Sequence, residues 1–121
     1  MSNAVKEKSF AFAIRIVNLH RILATEKKEF VLSKQLLRSG TAIGALVREA
    51  EQAESKPDFI HKMAIALKEA NETEYWILML RETNYLTVKE SESILADTVG
   101  LLKLLRSIIK SAKRSQVTMD N

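Results

Sequence analysis

Cysteine is absent from this 121-residue chain, so it has no disulfide framework, no thiolate metal site and no thiol nucleophile. A small disulfide-stapled secreted scaffold is excluded and an intracellular home is allowed. Proline occurs once and glycine three times, which leaves few turns and implies a few long elements, hence an all-helical protein. Long hydrophobic runs are missing too. Phe10 to Ile14 and Trp76 to Leu80 are among the longest wholly apolar stretches, far short of the ~20 residues that span a bilayer or the ~7 to 15 of a signal-peptide core. A soluble, cytoplasmic protein without membrane association is expected. With no strands expected, no Gly-rich phosphate loop of the strand–turn–helix kind is available either.

What is present fills one core. Hydrophobic residues make up 46% of the chain, ample for a single domain spanning 1–121. Four helices emerge from the punctuation, over about 5–24, 30–54, 57–83 and 88–113, and the polar stretch 114–121 is expected to be a flexible tail. The first helix carries Phe12, Ile16, Leu19 and Leu23 along one stripe, with Phe10, Ile14 and Val17 beside it. Leu32, Leu36, Ile43, Val47 and Ala50 face inward on the second. Ser55-Lys56-Pro57-Asp58 marks a helix start: Ser55 can cap, Pro57 suits the first turn, and Asp58 favours the positive end of the helix dipole. Thr87-Val88-Lys89-Glu90 is a capping box for the fourth helix, which bears Leu95, Leu102, Leu105 and Ile109 flanked by Ile94, Leu101 and Ile108. Short connections make neighbours antiparallel, so an up-down-up-down four-helix bundle is the economical fold.

Two features exceed what a lone bundle needs. Ser39-Gly40-Thr41-Ala42-Ile43-Gly44-Ala45 places two glycines inside the second helix, each costing roughly 1 kcal/mol against Ala unless another backbone packs closely there. The third helix has two apolar sides, Ile60, Met63, Ala64, Leu67, Ala70 and Leu78 on one, and Ile65, Trp76, Met79 and Leu80 largely opposite. Opposite the core stripe of the second helix, Arg38, Ala42, Ala45, Glu49 and Gln52 follow the 4-3-4-3 spacing of a seam. Arg38, Ala42, Ala45 and Glu49, with Ile65, Trp76 and Leu80, therefore read as an oligomer interface. The bland alternative is a half-exposed aromatic with ordinary neighbours.

The same residues carry a resemblance. Gln35 to Ala45, then Arg48-Glu49-Ala50, Asp58-Phe59-Ile60-His61-Lys62 and Ala66 to Trp76 resemble the small four-helix bundle proteins named for the intervening sequences of bacterial 23S ribosomal RNA genes. The likeness runs from about Phe10 to Lys113. It implies a left-handed bundle assembled into a ring, in characterised relatives a homopentamer, with no known enzymatic activity. A distantly similar group, the accessory proteins of diversity-generating retroelements, uses such a basic ring to bind RNA and a reverse transcriptase. The family often has Ser at the position of Ala42 and Asn at that of Leu46, so polar roles there do not carry over.

Nineteen Lys and Arg against fifteen Asp and Glu leave a net charge of +4, a mild excess in which placement matters more than total. Lys103, Arg106, Lys110 and Lys113 recur on one face of the last helix with Arg114 beside them, a stripe that could track phosphates. Cations also belong at a helix C-terminus for the dipole's sake. Aromatic residues are not interleaved with them, so backbone recognition of duplex or structured RNA fits better than base readout.

Chemistry is poorly served. His20 and His61 are the two histidines. Asp58-x-x-His61 is a single carboxylate–His pair, where a di-iron bundle needs two such pairs and two further Glu. Glu69, Glu72 and Glu74 are dense, but helical spacing separates them: Glu69 and Glu72 lie towards the interface-like side, whereas Glu74 falls near the core and calls for an Arg partner. Ser39 and Thr41 have no base at a predictable position. No catalytic residue, metal or cofactor is expected. The residues point to a non-enzymatic, ring-forming scaffold associated with RNA, against a protein-binding adaptor and, more remotely, an enzyme with a site shared between subunits.

Overall fold

In a computed structural model, which describes the backbone of residues 3–120 and the side chains of residues 4–116, the chain forms four helices. They are α1 (Asn3–Thr25), α2 (Val31–Glu51), α3 (Lys56–Glu82) and α4 (Val88–Asp120), with no strand among the described residues. Each helix packs against its sequence neighbours, and α4 returns to α1, closing a cycle of four. Pairs across the seams fix the direction. Lys6 meets Glu51 while His20 Nδ1 lies 3.1 Å from the Ser33 carbonyl oxygen, so α1 and α2 are antiparallel. Lys62 meets Glu49 and Thr73 donates to Ser39, so α2 and α3 are antiparallel as well. The all-α up-down-up-down bundle follows.

Caps place the helix starts. Ser55 Oγ accepts from the Asp58 N–H at 3.1 Å, with Pro57 in the first turn of α3. The box at α4 closes both ways: the Thr87 N–H donates to Glu90 Oε1 at 2.8 Å and the Glu90 N–H to Thr87 Oγ1 at 3.0 Å. The start of α2 is served by a residue outside the usual capping set. Glu29 is buried, and its carboxylate accepts the N–H groups of Val31 (3.2 Å), Leu32 (2.7 Å) and Ser33 (3.1 Å), which a helix N-terminus otherwise leaves unpaired. Sequence alone reads Thr25 to Glu29 only as a charged helix end. Lys28 and Asn84 turn the chain with φ of 56° and 68°. Lys27 ties the two turns at that end, donating to the Tyr85 carbonyl at 2.8 Å.

The core runs the length of the bundle through Phe12, Ile16, Leu36, Ile43, Met63, Ile77, Leu80 and Leu105. Two expectations change. Helix α4 does not stop near Lys113; its backbone stays helical to Asp120, and Ser111 to Asp120 contains no Gly or Pro to break it. Only the backbone of the last part of the expected flexible tail is described, and residue 121 lies outside the described residues. The buried side of α3 is turned by about a quarter of the helix from the expected stripe. Met63, Ala66, Ala70, Thr73, Ile77 and Leu80 face inward, while Ile60, Leu67 and Leu78 are half-buried and Ala64 is exposed.

Candidate interaction surfaces

The small residues of α2 serve three sides. Gly40 and Gly44 face α1: a Cβ on Gly40 would lie 2.8 Å from Ile16 Cγ1 and Cγ2, and one on Gly44 would lie 3.3 Å from the Ser9 carbonyl oxygen. The close approach that the glycines demand is thus made within the chain, by α1. Ser39 faces α3, accepting from Thr73 Oγ1 at 3.0 Å in a fully buried contact. Ala42, half-buried, and Ala45, exposed, are left on the outside.

The residues expected at an oligomer interface share the outer α2–α3 seam, but charge there is satisfied within the subunit. Arg38 bonds Glu69 and Glu72, and Glu72 also accepts from Trp76 Nε1 at 3.0 Å. Glu49 pairs with Lys62 at 3.3 Å. Exposed pairs of this kind contribute about 0 to 1 kcal/mol each and mainly fix register. Ile65 and Trp76 are half-buried between them. Leu80 must be withdrawn from the interface, because it is 0% exposed inside its own bundle and cannot reach a partner. Glu74 is half-buried without an ion-pair partner among the described residues, since Arg38 is taken by Glu69 and Glu72.

A second surface was hidden by an assignment to the core's edge. Phe10, Ile14 and Val17 are 54%, 49% and 37% exposed, and they follow one another at i, i+4 and i+7 along α1. Arg48 of α2 places its guanidinium 5.5 Å from the Phe10 ring centroid, a cation–π contact that shields one face of the ring. These side chains are already about half covered, so covering the rest is worth roughly half of the ~1.5 to 3 kcal/mol that full burial of such a side chain brings. Their helical spacing is the signal, but the same spacing equally describes a core flank.

The basic residues of α4 face solvent. Lys103, Arg106, Lys110, Lys113 and Arg114 are all exposed, and Lys103, Arg106, Lys110 and Lys113 make no ion pair among the described residues. Among the described side chains of α4, Asp97 binds Arg15 at 2.5 Å, and Glu90 sits in the capping box. The Thr87 N–H, foremost, and the Thr87 hydroxyl hold the Glu90 carboxyl below its ordinary value, with Lys27 adding to the effect against a desolvation that raises it.

Two grooves accompany these surfaces. One of about 730 Å³ at the end of the bundle is lined by Ser55, Lys56, Phe59, Ser107, Ser111 and Ser115, none of them buried except in part. The other, about 330 Å³, lies between α1 and α4 over Phe12 and Leu101. No group of three or more His, Asp or Glu able to hold a metal occurs among the described residues. His61 is exposed, and His20 lies against the Ser33 carbonyl. No helix among the described residues is long and apolar enough to cross a membrane.

The family model for 23S rRNA-intervening sequence proteins matches residues 1–107, and the chain belongs to that family. Among solved structures it is similar to a protein of unknown function from the S23 ribosomal protein family of Bacteroides thetaiotaomicron. The identity is 62%, covering 88% of this chain and 98% of that one, with a TM-score of 0.86. A comparison with curated proteins finds no match.

Proposed function

We propose that the chain is a non-enzymatic, ring-forming scaffold, homopentameric as its family resemblance implies, that binds RNA through its phosphate backbone. The observation that carries RNA binding is the α4 stripe, in which Lys103, Arg106, Lys110 and Lys113 are exposed and unpaired among the described residues. Along the helix, Lys103 and Arg114 are about 16 Å apart, long enough for several phosphates, and a ring would multiply weak contacts through effective concentration. The name of the family, which refers to 23S rRNA, supports an RNA context. Assembly is supported by the exposed apolar row of Phe10, Ile14 and Val17 on α1 and by Ala42, Ala45, Ile65 and Trp76, which remain at least partly exposed on α2 and α3.

The test is a filter-binding titration with structured RNA at several salt concentrations. Replacing Lys103, Arg106 and Lys110 together with Gln is expected to weaken binding similarly across unrelated sequences and to reduce the salt slope by about 2 to 3. Binding absent from the parent, or unchanged in the triple variant, overturns the reading. The α1 row also favours a second reading, a protein-binding adaptor with no nucleic-acid affinity, for which that absence is the expected result.

A further inference from the structure

A serine inside a helix commonly turns its hydroxyl back onto the carbonyl of the preceding turn, and Ser9, Ser33, Ser39 and Ser91 do so here. Ser55 caps α3, and Ser93 accepts from Arg15. Ser107, Ser111 and Ser115 differ. None of the three makes a hydrogen bond among the described residues, and all three line the groove of about 730 Å³ at the end of the bundle. They recur at i, i+4 and i+8 along α4, so free hydroxyls repeat about every 6 Å on one wall of the groove. The opposite wall holds Lys56, half-buried at the start of α3 and without an ion pair among the described residues. Ala50 and Ala112, both buried, lie between.

We propose that this groove receives the ribose edge of an RNA backbone, with Ser107, Ser111 and Ser115 bonding 2′-hydroxyls and Lys56 holding a phosphate of the same strand. This rests on the RNA reading above and adds to it how RNA is told from DNA. Two arrays lie side by side on α4. Ser107 stands four residues after Lys103 and three before Lys110, and Ser111 stands three before Arg114, so the hydroxyl row adjoins the cationic row on the helix surface. An A-form RNA helix presents the matching pair, phosphates and, beside them, 2′-hydroxyls across its wide and shallow minor groove. Serine suits the second array because its hydroxyl both donates and accepts, as the 2′-hydroxyl does. Lys and Arg only donate, and they serve the phosphates.

Charge favours a polyanion in this groove. Glu51 is the one acid among the lining residues, and its carboxylate is already paired with Lys6 at 3.1 Å. Lys56 is half-buried yet unpaired, so an anion entering the groove meets a cation for which no lining carboxylate competes. The remaining walls are neutral: Phe59 and Ile108, both half-buried, offer apolar surface to the sugar ring beside the hydroxyl row.

Two hairpins of one sequence separate ribose contacts from phosphate contacts: RNA, and its fully 2′-O-methylated counterpart, which keeps the A-form shape and the phosphates but loses the hydroxyl proton. Filter binding at several salt concentrations is expected to show the full chain holding the unmodified hairpin about tenfold more tightly, the worth of one or two neutral hydrogen bonds. In a variant with Ser107→Ala, Ser111→Ala and Ser115→Ala the preference should vanish through weaker binding of the unmodified hairpin alone. Its salt slope should stay parental, because no counterion-releasing contact is removed. Ala is the better helix former, so circular dichroism should show the fold retained. Lys56→Gln should instead lower the salt slope by about 1 for both hairpins and leave the preference in place. A parent that binds both hairpins equally, a triple Ala variant that still distinguishes them, or an unchanged slope in Lys56→Gln overturns the groove assignment. A parent that binds neither hairpin overturns the RNA reading itself, so the two failures are separable.

Discussion

Replacing Gly40 with Ala sets two known effects against each other at a single carbon. Helix propensity favours the change by about 1 kcal/mol. Packing opposes it, because the new methyl would lie 2.8 Å from both Cγ atoms of Ile16 and 3.2 Å from its Cβ. Ile16 is fully buried and β-branched, held to essentially one χ1 well in a helix, so its branches cannot swing aside and α1 must move outward. Overpacking of this kind costs about 1 to 3 kcal/mol. The net expectation is a loss of about 1 kcal/mol, or roughly 3 to 6 °C in melting temperature. A double-mutant cycle isolates the cause. Ile16→Ala alone should cost about 2 to 5 kcal/mol, but in that background Gly40→Ala should become stabilising by about 1 kcal/mol, a coupling near 2 kcal/mol. Gly44→Ala is the control. Its obstacle is the Ser9 backbone at 3.3 Å, so it should be nearly neutral and indifferent to Ile16→Ala. Urea denaturation at fixed protein concentration, with constant m-values, measures all four corners. A stabilising Gly40→Ala in the parent, or a coupling below about 0.5 kcal/mol, would refute the assignment of the α1–α2 close contact to Ile16.

Two further outcomes follow from the helix starts. Glu29→Gln keeps a single acceptor oxygen for the three N–H groups now served by the Glu29 carboxylate, and denaturation should show a loss of about 1 to 2 kcal/mol; no loss would mean that α2 starts without that cap. Glu90 has its folded-state carboxyl lowered, chiefly by the Thr87 N–H, so the stabilisation it provides is present above the ordinary carboxylate range and lost as pH falls through the lowered folded value. Side-chain NMR titration should place the Glu90 midpoint below that of an unstructured Glu and return it towards the ordinary value in Thr87→Ala, whose side-chain bond is lost; a midpoint unmoved from the ordinary value in the parent would contradict the box.

The helices and their starts were legible because caps are local: Ser55 to Asp58 and Thr87 to Glu90 specify backbone bonds within four residues, and no distant group intervenes. The inward stripes of α2 and α4 were legible in large part because one side of each is distinctly more apolar, though Leu32 and Leu95 are only half-buried while Ile94 and Leu101, expected as flanks, are buried. Helix α3 was not. Apolar residues surround it, so periodicity had no single maximum, and the choice between its sides was made by α2. Ala66 and Thr73 are small enough for close approach, and the Thr73–Ser39 bond satisfies two buried hydroxyls where they meet, whereas the larger Ile60, Leu67 and Leu78 occupy the flanks. A buried Thr pairing with a buried Ser is a tertiary fact that a single helix cannot announce.

Surfaces were legible in proportion to how little they depend on neighbours. The α4 stripe needs only helical spacing, and its basic residues lie exposed as that spacing requires. The α2–α3 seam needed knowledge of where each charge would find its partner. Arg38 and Glu49 have the spacing of interface residues, yet Glu69, Glu72 and Lys62 across the seam claim them first. The α1 row shows the converse, since Phe10, Ile14 and Val17 look like a core flank until the position of α2 leaves them outside. An apolar side chain records that it is covered somewhere, but not by which chain. The glycines of α2 carry part of that information, since Gly40 and Gly44 have a neighbour on α1 that accounts for the absent side chain, whereas Gly100 of α4 has nothing within 4 Å of the position a Cβ would take.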